Sequence, residues 1–314
     1  MKTRLFIFIL LLFSSILSAQ QEISLQKIQQ IRSQFLEYET SRWRQLIMKD
    51  YYPKPTQGDF DAEFYDLDLK VDFNPNYFNA TILGRFRSLV DGLNEIILDF
   101  DDIFTIESVT GDIESFNLSG ENFNITLSRA FNTGETFEII TTYHGLPRLL
   151  NNIKAFNFRE HNSVPMAATL STPFLAHLWW PCKDGPQDKP DSVDINITIP
   201  DAQYNSCDLY AASNGKLVNI IENLDNTKTF EWQVRYPIPV YYVGIAVTNY
   251  RIFTHWFSYS LTDSMPVHYY VFPENYTDAV AGCANTVDMI AFLSDNFGIY
   301  PVTQEKYAMS EIGF

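Results

Sequence analysis

The chain has 314 residues, of which 46% are hydrophobic and 15% aromatic, with 25 Phe and 18 Tyr; this excludes a disordered chain and favours β structure over a helical bundle. Its 38 acidic and 22 basic residues give a formal charge of −16 at pH 7, which repels nucleic acid and removes it as a partner. Three cysteines, Cys182, Cys207 and Cys283, are too few for a disulfide framework or a cysteine metal cluster. They allow at most one bridge, Cys182 to Cys207 being the pair considered.

Lys2 and Arg4, the apolar run from Leu5 to Leu17, and Ser18-Ala19-Gln20 reproduce the three parts of a secretory signal peptide over residues 1–20. The run is shorter than the roughly 20 residues that span a bilayer, and no other stretch is long and apolar enough. The expectation is an exported protein: periplasmic, cell-surface or secreted, with no transmembrane segment after signal cleavage. Residues 21–54 form a leading unit. Leu25, Ile28, Ile31, Phe35, Trp43 and Leu46 recur at mostly helical spacing from Ser24 to about Met48. Tyr52-Pro53-Lys54-Pro55 ends that helix, since Pro removes a backbone donor and restricts the residue before it.

From residue 55 to about 262 the pattern is that of strands. Tyr65, Leu67, Leu69, Val71 and Phe73 alternate with Asp66, Asp68, Lys70 and Asp72, a strand with one buried face. Further runs are predicted at 81–90, 95–100, 105–109, 122–127, 136–143, 193–199, 208–212, 230–234 and 240–253. Gly, Asn and Asp turn residues separate them, among them Ser213-Asn214-Gly215. Many short strands of this kind imply a sandwich or a curved antiparallel sheet. Near residue 262 the pattern changes to a strand at 267–272 and a helix at 277–296. Thr277 is its expected N-cap, Val280, Ala284, Val287, Ile290 or Ala291, and Leu293 share one face, and Gly298 and Pro301 end it. Residues 263–314 are therefore read as the start of a second domain.

Two motif regions carry the most information. The first is Ser171-Thr172-Pro173-Phe174 followed by Leu178-Trp179-Trp180-Pro181-Cys182-Lys183-Asp184-Gly185-Pro186-Gln187-Asp188-Lys189; the second is Phe297-Gly298-Ile299-Tyr300-Pro301 followed by Glu305-Lys306-Tyr307-Ala308-Met309-Ser310-Glu311. In this order and spacing they resemble the amino-terminal half of the zinc aminopeptidase family that contains aminopeptidase N and leukotriene A-four hydrolase, in an exported bacterial form, over about residues 60–314. The resemblance implies a mainly β fold. A saddle-like antiparallel β-sandwich domain is followed by the first strand and helix of an α/β thermolysin-like catalytic domain.

It also implies what this stretch of chain lacks. The family holds zinc with two His four apart on one helix face and a more distant Glu, the Glu beside the first His serving as general base. His144, His161, His177, His255 and His268 include no such pair. Each is expected to be a surface or packing residue. In the family the zinc motif follows some thirty residues after a Gly-x-Met-Glu-Asn loop, and Glu305 to Phe314 matches the lead-in to that loop. Zinc is thus expected in the full-length protein and none on this chain, which should be inactive alone. The large apolar residues of helix 277–296 should then lack cover, forgoing on the order of 10 kcal/mol of burial.

One functional position of the family falls inside the β domain. A Glu or Gln nine residues before the Pro of the Pro-Cys pair helps bind the α-ammonium of the peptide substrate, and here that position is Thr172. A neutral hydroxyl in place of an anion should cost roughly tenfold to hundredfold in kcat/KM. His177 and Gly185 also depart from the commoner family residues. Trp179, Trp180 and Pro181 are expected to anchor the chain in the core, and Asp184, Asp188 and Lys189 to pair within the following loop. Five sequons, at Asn79, Asn117, Asn124, Asn196 and Asn275, are as expected by chance in an Asn-rich chain. The first functional expectation is the N-terminal part of an exported zinc-dependent aminopeptidase acting on peptides with a free N-terminus. The alternative is a non-catalytic β-rich exported binding module or an inactive peptidase relative. Carbohydrate binding would rest on aromatic content alone, which core packing explains better.

Overall fold

The alternation in the first strand places its apolar face on the core and sets the plan of the molecule. In β1 (Phe60–Phe73), Tyr65, Leu67, Leu69 and Val71 are buried while Asp68 and Lys70 face solvent. A bulge between Ala62 and Phe64 shifts the phase, so Phe60 and Ala62 also point inward. A computed structural model describes Ser33 and residues 54–148, 155–170 and 173–312. The stretches expected to be a signal peptide and a leading helix, apart from Ser33, lie outside the described residues, as does Thr172.

Strands are numbered in chain order. β1 is central in a seven-stranded sheet, between β2 (Asn76–Ser88) and β10 (Ser192–Pro200). Beyond β2 lie β7 (Thr136–Gly145) and β4 (Thr105–Gly111); beyond β10 lie β15 (Thr227–Val234) and β14 (Lys216–Glu222). Only the β1–β10 pair in this sheet is parallel. Against it stand β3 (Leu93–Asp99), β6 (Asn122–Phe131) and β5 (Ile113–Ser119), and a four-stranded sheet of β13 (Tyr210–Ser213), β16 (Ile245–Thr248), β9 (Val164–Thr169) and β8 (Phe156–His161). A short pair, β11 (Gln203–Tyr204) and β12 (Cys207–Asp208), precedes β13. Aromatic side chains fill the space between sheets. Tyr65, Phe78, Phe100, Tyr143, Trp179 and Trp180 are fully buried, and rings such as Phe100 and Tyr143 meet edge to face with centroids 4.7 Å apart.

A last sheet of β17 (Arg251–Ser258), β18 (Ser264–Val271) and β19 (Tyr307–Ser310) follows, β19 lying parallel to β18. Phe257, Met265, Val267, Tyr269 and Val271 on one face of it pack with Ile290. The expected single helix is two helices, α1 (Tyr276–Gly282) and α2 (Thr286–Phe297). Gly282 and Asn285 are poor helix formers at the break, and the turn there is closed by Thr286 N donating to Cys283 O. The N-cap of α1 is Asn275 rather than Thr277. Gly298, at φ 99°, ends α2 as expected. The outer face of α2 leaves Met289, Leu293, Phe292 (65% exposed) and Phe297 (82%) uncovered.

Most predicted strands are present with ends moved by a few residues. The stretch 240–253 is an exception: it holds a 3-10 turn at Val240–Tyr242, then β16 and the start of β17. The turn Ser213-Asn214-Gly215 joins two different sheets. Gly215 has φ 71°, and a Cβ there would stand 2.1 Å from Gln233 O, so only glycine fits. All three cysteines are free thiols, Cys182 being buried; the Cys182–Cys207 bridge is not formed.

The outer face of the seven-stranded sheet carries a local conflict. Asp66 is half-buried beside Asp194 and Asp68, and burial together with their charge pushes its carboxyl up to about 6. An acid whose folded value exceeds its unfolded one near 3.8 imposes no penalty below that pH, and the full penalty above about 6. Asp66→Asn keeps an acceptor for Asn196 Nδ2, 3.0 Å away. It is therefore expected to raise the Tm at pH 7.5 and to leave it unchanged at pH 3.5, as read by thermal denaturation at the two pH values.

Candidate functional site

The Trp-Trp-Pro-Cys segment enters the core through a 3-10 turn at Ala176–Leu178. Tyr143 donates its hydroxyl to Trp179 O at 2.7 Å, and Trp180 meets Tyr65 edge to face at 4.9 Å. Cys182 forms an isolated bridge with Asp99 through N–H···O bonds of 2.7 and 3.0 Å. Burial, with Asp184 and Asp99 nearby, pushes the Cys182 thiol well up, so it remains a neutral packing group.

Around that bridge lies a buried polar cluster that sequence reading did not foresee. Asp99 accepts from Lys54 Nζ at 2.6 Å, Gln57 Nε2 at 2.6 Å and Asp184 N at 2.9 Å. Asp184 in turn accepts from His177 N at 3.1 Å and pairs with His177 Nδ1 at 2.7 Å. Burial opposes a charged imidazole, yet bonds to Asp184 and Glu121 outweigh it and push His177 up to about 9. The expected loop pairing is thus redrawn. Asp184 holds His177, Asp188 holds Lys183 Nζ at 2.6 Å, and Lys189 is exposed. Lys183 also donates to Phe60 O at 2.6 Å and lies 4.7 Å from that ring centre. Each of these side chains has a partner within the fold, although His177 Nε2, 3.8 Å from Glu121 Oε1, and Asp184 Oδ1 make no hydrogen bond among the described residues. They make the segment a structural clasp and leave no donor set free for chemistry.

The remaining histidines have mundane partners: His144 pairs with Glu107, His161 with Glu274, His268 with the Thr254 hydroxyl, and His255 lies 3.4 Å from the Tyr269 hydroxyl. Among the described residues no three His, Cys, Asp or Glu side chains converge as a metal requires. The residues present therefore do not fit a zinc site, and no step through zinc is assigned to them.

The most site-like surface lies where β13, β16 and β9 face β18 and β19. A cleft of about 460 Å³ is lined by Thr169, Asn214, Tyr242, Tyr300, Ala308 and Ile312, among others. Thr169 ends β9, three residues before Thr172; its Oγ1 accepts from Ile245 N at 2.9 Å. The cleft thus lies beside the segment that leads to Thr172, although Thr172 itself is outside the described residues. Glu311, between the lining residues Ser310 and Ile312, anchors the end of β19 beside the cleft. Its carboxylate accepts from Phe272 N at 2.6 Å and Asn275 Nδ2 at 3.1 Å, and its carbonyl accepts the Tyr250 hydroxyl at 2.6 Å.

Lys306 forms the floor. Its buried ammonium donates to Ser213 O at 2.7 Å and to Gly215 O, and lies 3.8 Å from the Trp232 ring centre. Burial pulls it down to about 7 against the pull of Glu305. Glu305 accepts from Arg235 N at 2.6 Å. A second cleft of about 660 Å³, walled by Trp256, Tyr259 and His268, shares Tyr270, Glu305 and Lys306 with the first. The sequence marked Glu305-Lys306-Tyr307 as a motif without showing that it ties β19 to the β13–β14 turn. No local signal could have shown it.

No family model matches the sequence, and no curated protein matches it. Solved structures do share its fold. A mutant M1 zinc metallopeptidase of Deinococcus radiodurans bound to a Tyr-Ser-Ala substrate is 21% identical, with a TM-score of 0.66 over 81% of this chain and 57% of that one. The same metallopeptidase without the mutation gives 21%, 0.65, 80% and 56%. A two-domain M1 zinc metallopeptidase mutant bound to L-arginine gives 22%, 0.65, 81% and 57%. The chain therefore spans just over half the length of the structures it matches. Its mainly β architecture is the one the motifs led us to expect.

Proposed function

We propose that these residues are the N-terminal, substrate-facing portion of an exported zinc-dependent aminopeptidase of the M1 type. The shared fold with M1 zinc metallopeptidases carries this reading. The motif spacing from Thr172 through Pro181 to Glu305-Lys306-Tyr307 supports it, as does the mixed polar and apolar cleft beside β9 and β19. In this reading the β saddle runs to about residue 262, with the start of a catalytic domain after it. The uncovered apolar face of α2 suits a helix made to pack against more of that domain. Zinc, held by residues other than those described, would supply an activated water for hydrolysis. The contribution of this portion is to wall the cleft and receive the free amine.

The test uses the natural protein that carries these residues, secreted from its own signal. It should hydrolyse aminoacyl chromogenic substrates, lose that activity to a chelator and regain it with zinc. Thr172→Glu should raise kcat/KM about tenfold by restoring an anion for the substrate ammonium. Purified protein with no chelator-sensitive hydrolysis would overturn the aminopeptidase reading in favour of an inactive relative.

A further inference from the structure

We infer that Tyr242 is a specificity-determining residue that closes the first cleft over one bulky uncharged side chain of a bound peptide; this rests on the peptidase reading. Three observations carry it. Tyr242 is a large aromatic that is 63% exposed and yet lines a cavity of about 460 Å³, a volume that suits a peptide side chain with part of its backbone. It is also mounted rigidly. It ends the 3-10 turn Val240–Tyr242, its N–H bonds to Pro239 O at 2.8 Å, Val243 N bonds to Val240 O at 3.2 Å, and Val240 and Val243 on either side are buried. A ring carried on a backbone fixed in this way, with only two side-chain torsions of its own, loses little entropy on contact with a ligand.

The third observation concerns charge. The cleft contains one cation and one anion, Lys306 and Glu305, and both are already engaged. Lys306 Nζ is committed to two carbonyls and the Trp232 face, and Glu305 accepts from Arg235 N. Tyr270, Tyr300, Val302, Ile238 and Ile312 supply apolar lining around them. An Asp or Glu side chain entering this space would shed its water and find only a lysine already bound to two carbonyls, and a Lys or Arg would find only Glu305, whose charge already faces Lys306 and Arg235. A Leu or Phe side chain would bury apolar area against the Tyr242 ring and the tyrosines beyond it. The rim residue and the satisfied floor thus select the same class of side chain, one by attraction and the other by exclusion.

The experiment has two arms on the natural protein carrying these residues. In the first, kcat/KM is measured for tripeptides in which one position at a time is Ala, Leu, Phe, Lys or Glu. At one position Leu and Phe should exceed Lys and Glu by at least tenfold. Tyr242→Ala should cut that preference about fivefold through KM rather than kcat, and Ala308→Trp, which fills the cleft from β19, should cut it as well. In the second, benzoylphenylalanine placed at position 242 should photolabel Ala-Phe-Ala in competition with unlabelled peptide, and Ala-Lys-Ala much more weakly. Hydrolysis with neither selectivity change nor labelling overturns the inference and leaves the peptidase reading standing. Labelling without hydrolysis overturns the peptidase reading and the specificity role that rests on it, leaving a peptide-binding cleft, and absence of both overturns both.

Discussion

Trp180→Ala is expected to destabilise the protein by about 3–5 kcal/mol, the usual cost of removing a buried Trp and leaving its cavity. Trp180 is fully buried, with Tyr65 edge-on at 4.9 Å and Trp179 tilted against it at 5.8 Å. The void would open where β1 meets the signature segment, and both are tied into other sheets, so little collapse can relieve it. Trp180→Phe should cost much less. The indole Nε1 has no hydrogen-bond partner among the described residues, and Phe removes that buried donor along with part of the ring. Urea unfolding of the three proteins decides the matter. Equal losses for Ala and Phe would show that packing at this site is not what Trp180 provides.

Asp184→Ala is the second large effect. It deprives His177 of its closest anion and removes an acceptor from His177 N. Breaking one partner of a buried pair costs about 3–5 kcal/mol. The pH dependence adds a sign that a simple packing loss would not show. His177 has a folded value raised to about 9 from 6.5. Its contribution is therefore complete below about pH 6.5 and lost as pH rises through 9. Lys306 works in the opposite direction. Its folded value is lowered to about 7 from 10.5, so its buried charge penalises the fold below 7 and is relieved as pH rises toward 10.5. Total stability mixes the two, but the difference between wild type and Asp184→Ala isolates His177. That difference should be largest at pH 6 and shrink steadily toward pH 10. A difference that is flat with pH would mean His177 is not charged in the fold.

How much of this was legible in the sequence varies with how local the cause is. The alternation of Tyr65, Leu67, Leu69 and Val71 predicted β1 because burial on one sheet face repeats every second residue. β14 was missed because it is an edge strand whose Val218, Ile220 and Ile221 are exposed on both faces and show no such period. β19 has four residues and owes its strand to β18 beside it. The helix at 277–296 was legible in its apolar spacing, but its break at Cys283–Asn285 was not, since one Gly lowers helix propensity without forbidding helix.

The candidate site divides along the same line. The spacing from Pro181 back to Thr172 and forward to Glu305-Lys306-Tyr307 is a property of the chain order, so the sequence alone determined the family resemblance, the β-rich class and the position expected to meet the substrate amine. Only the tertiary structure brought Lys54, Gln57 and Asp99 against Asp184 and His177, or placed Lys306 under Trp232 between two clefts. Side-chain periodicity reports which face of an element is buried. It does not report which distant element covers that face, and charge burial, pairing and cavity shape all depend on that long-range choice.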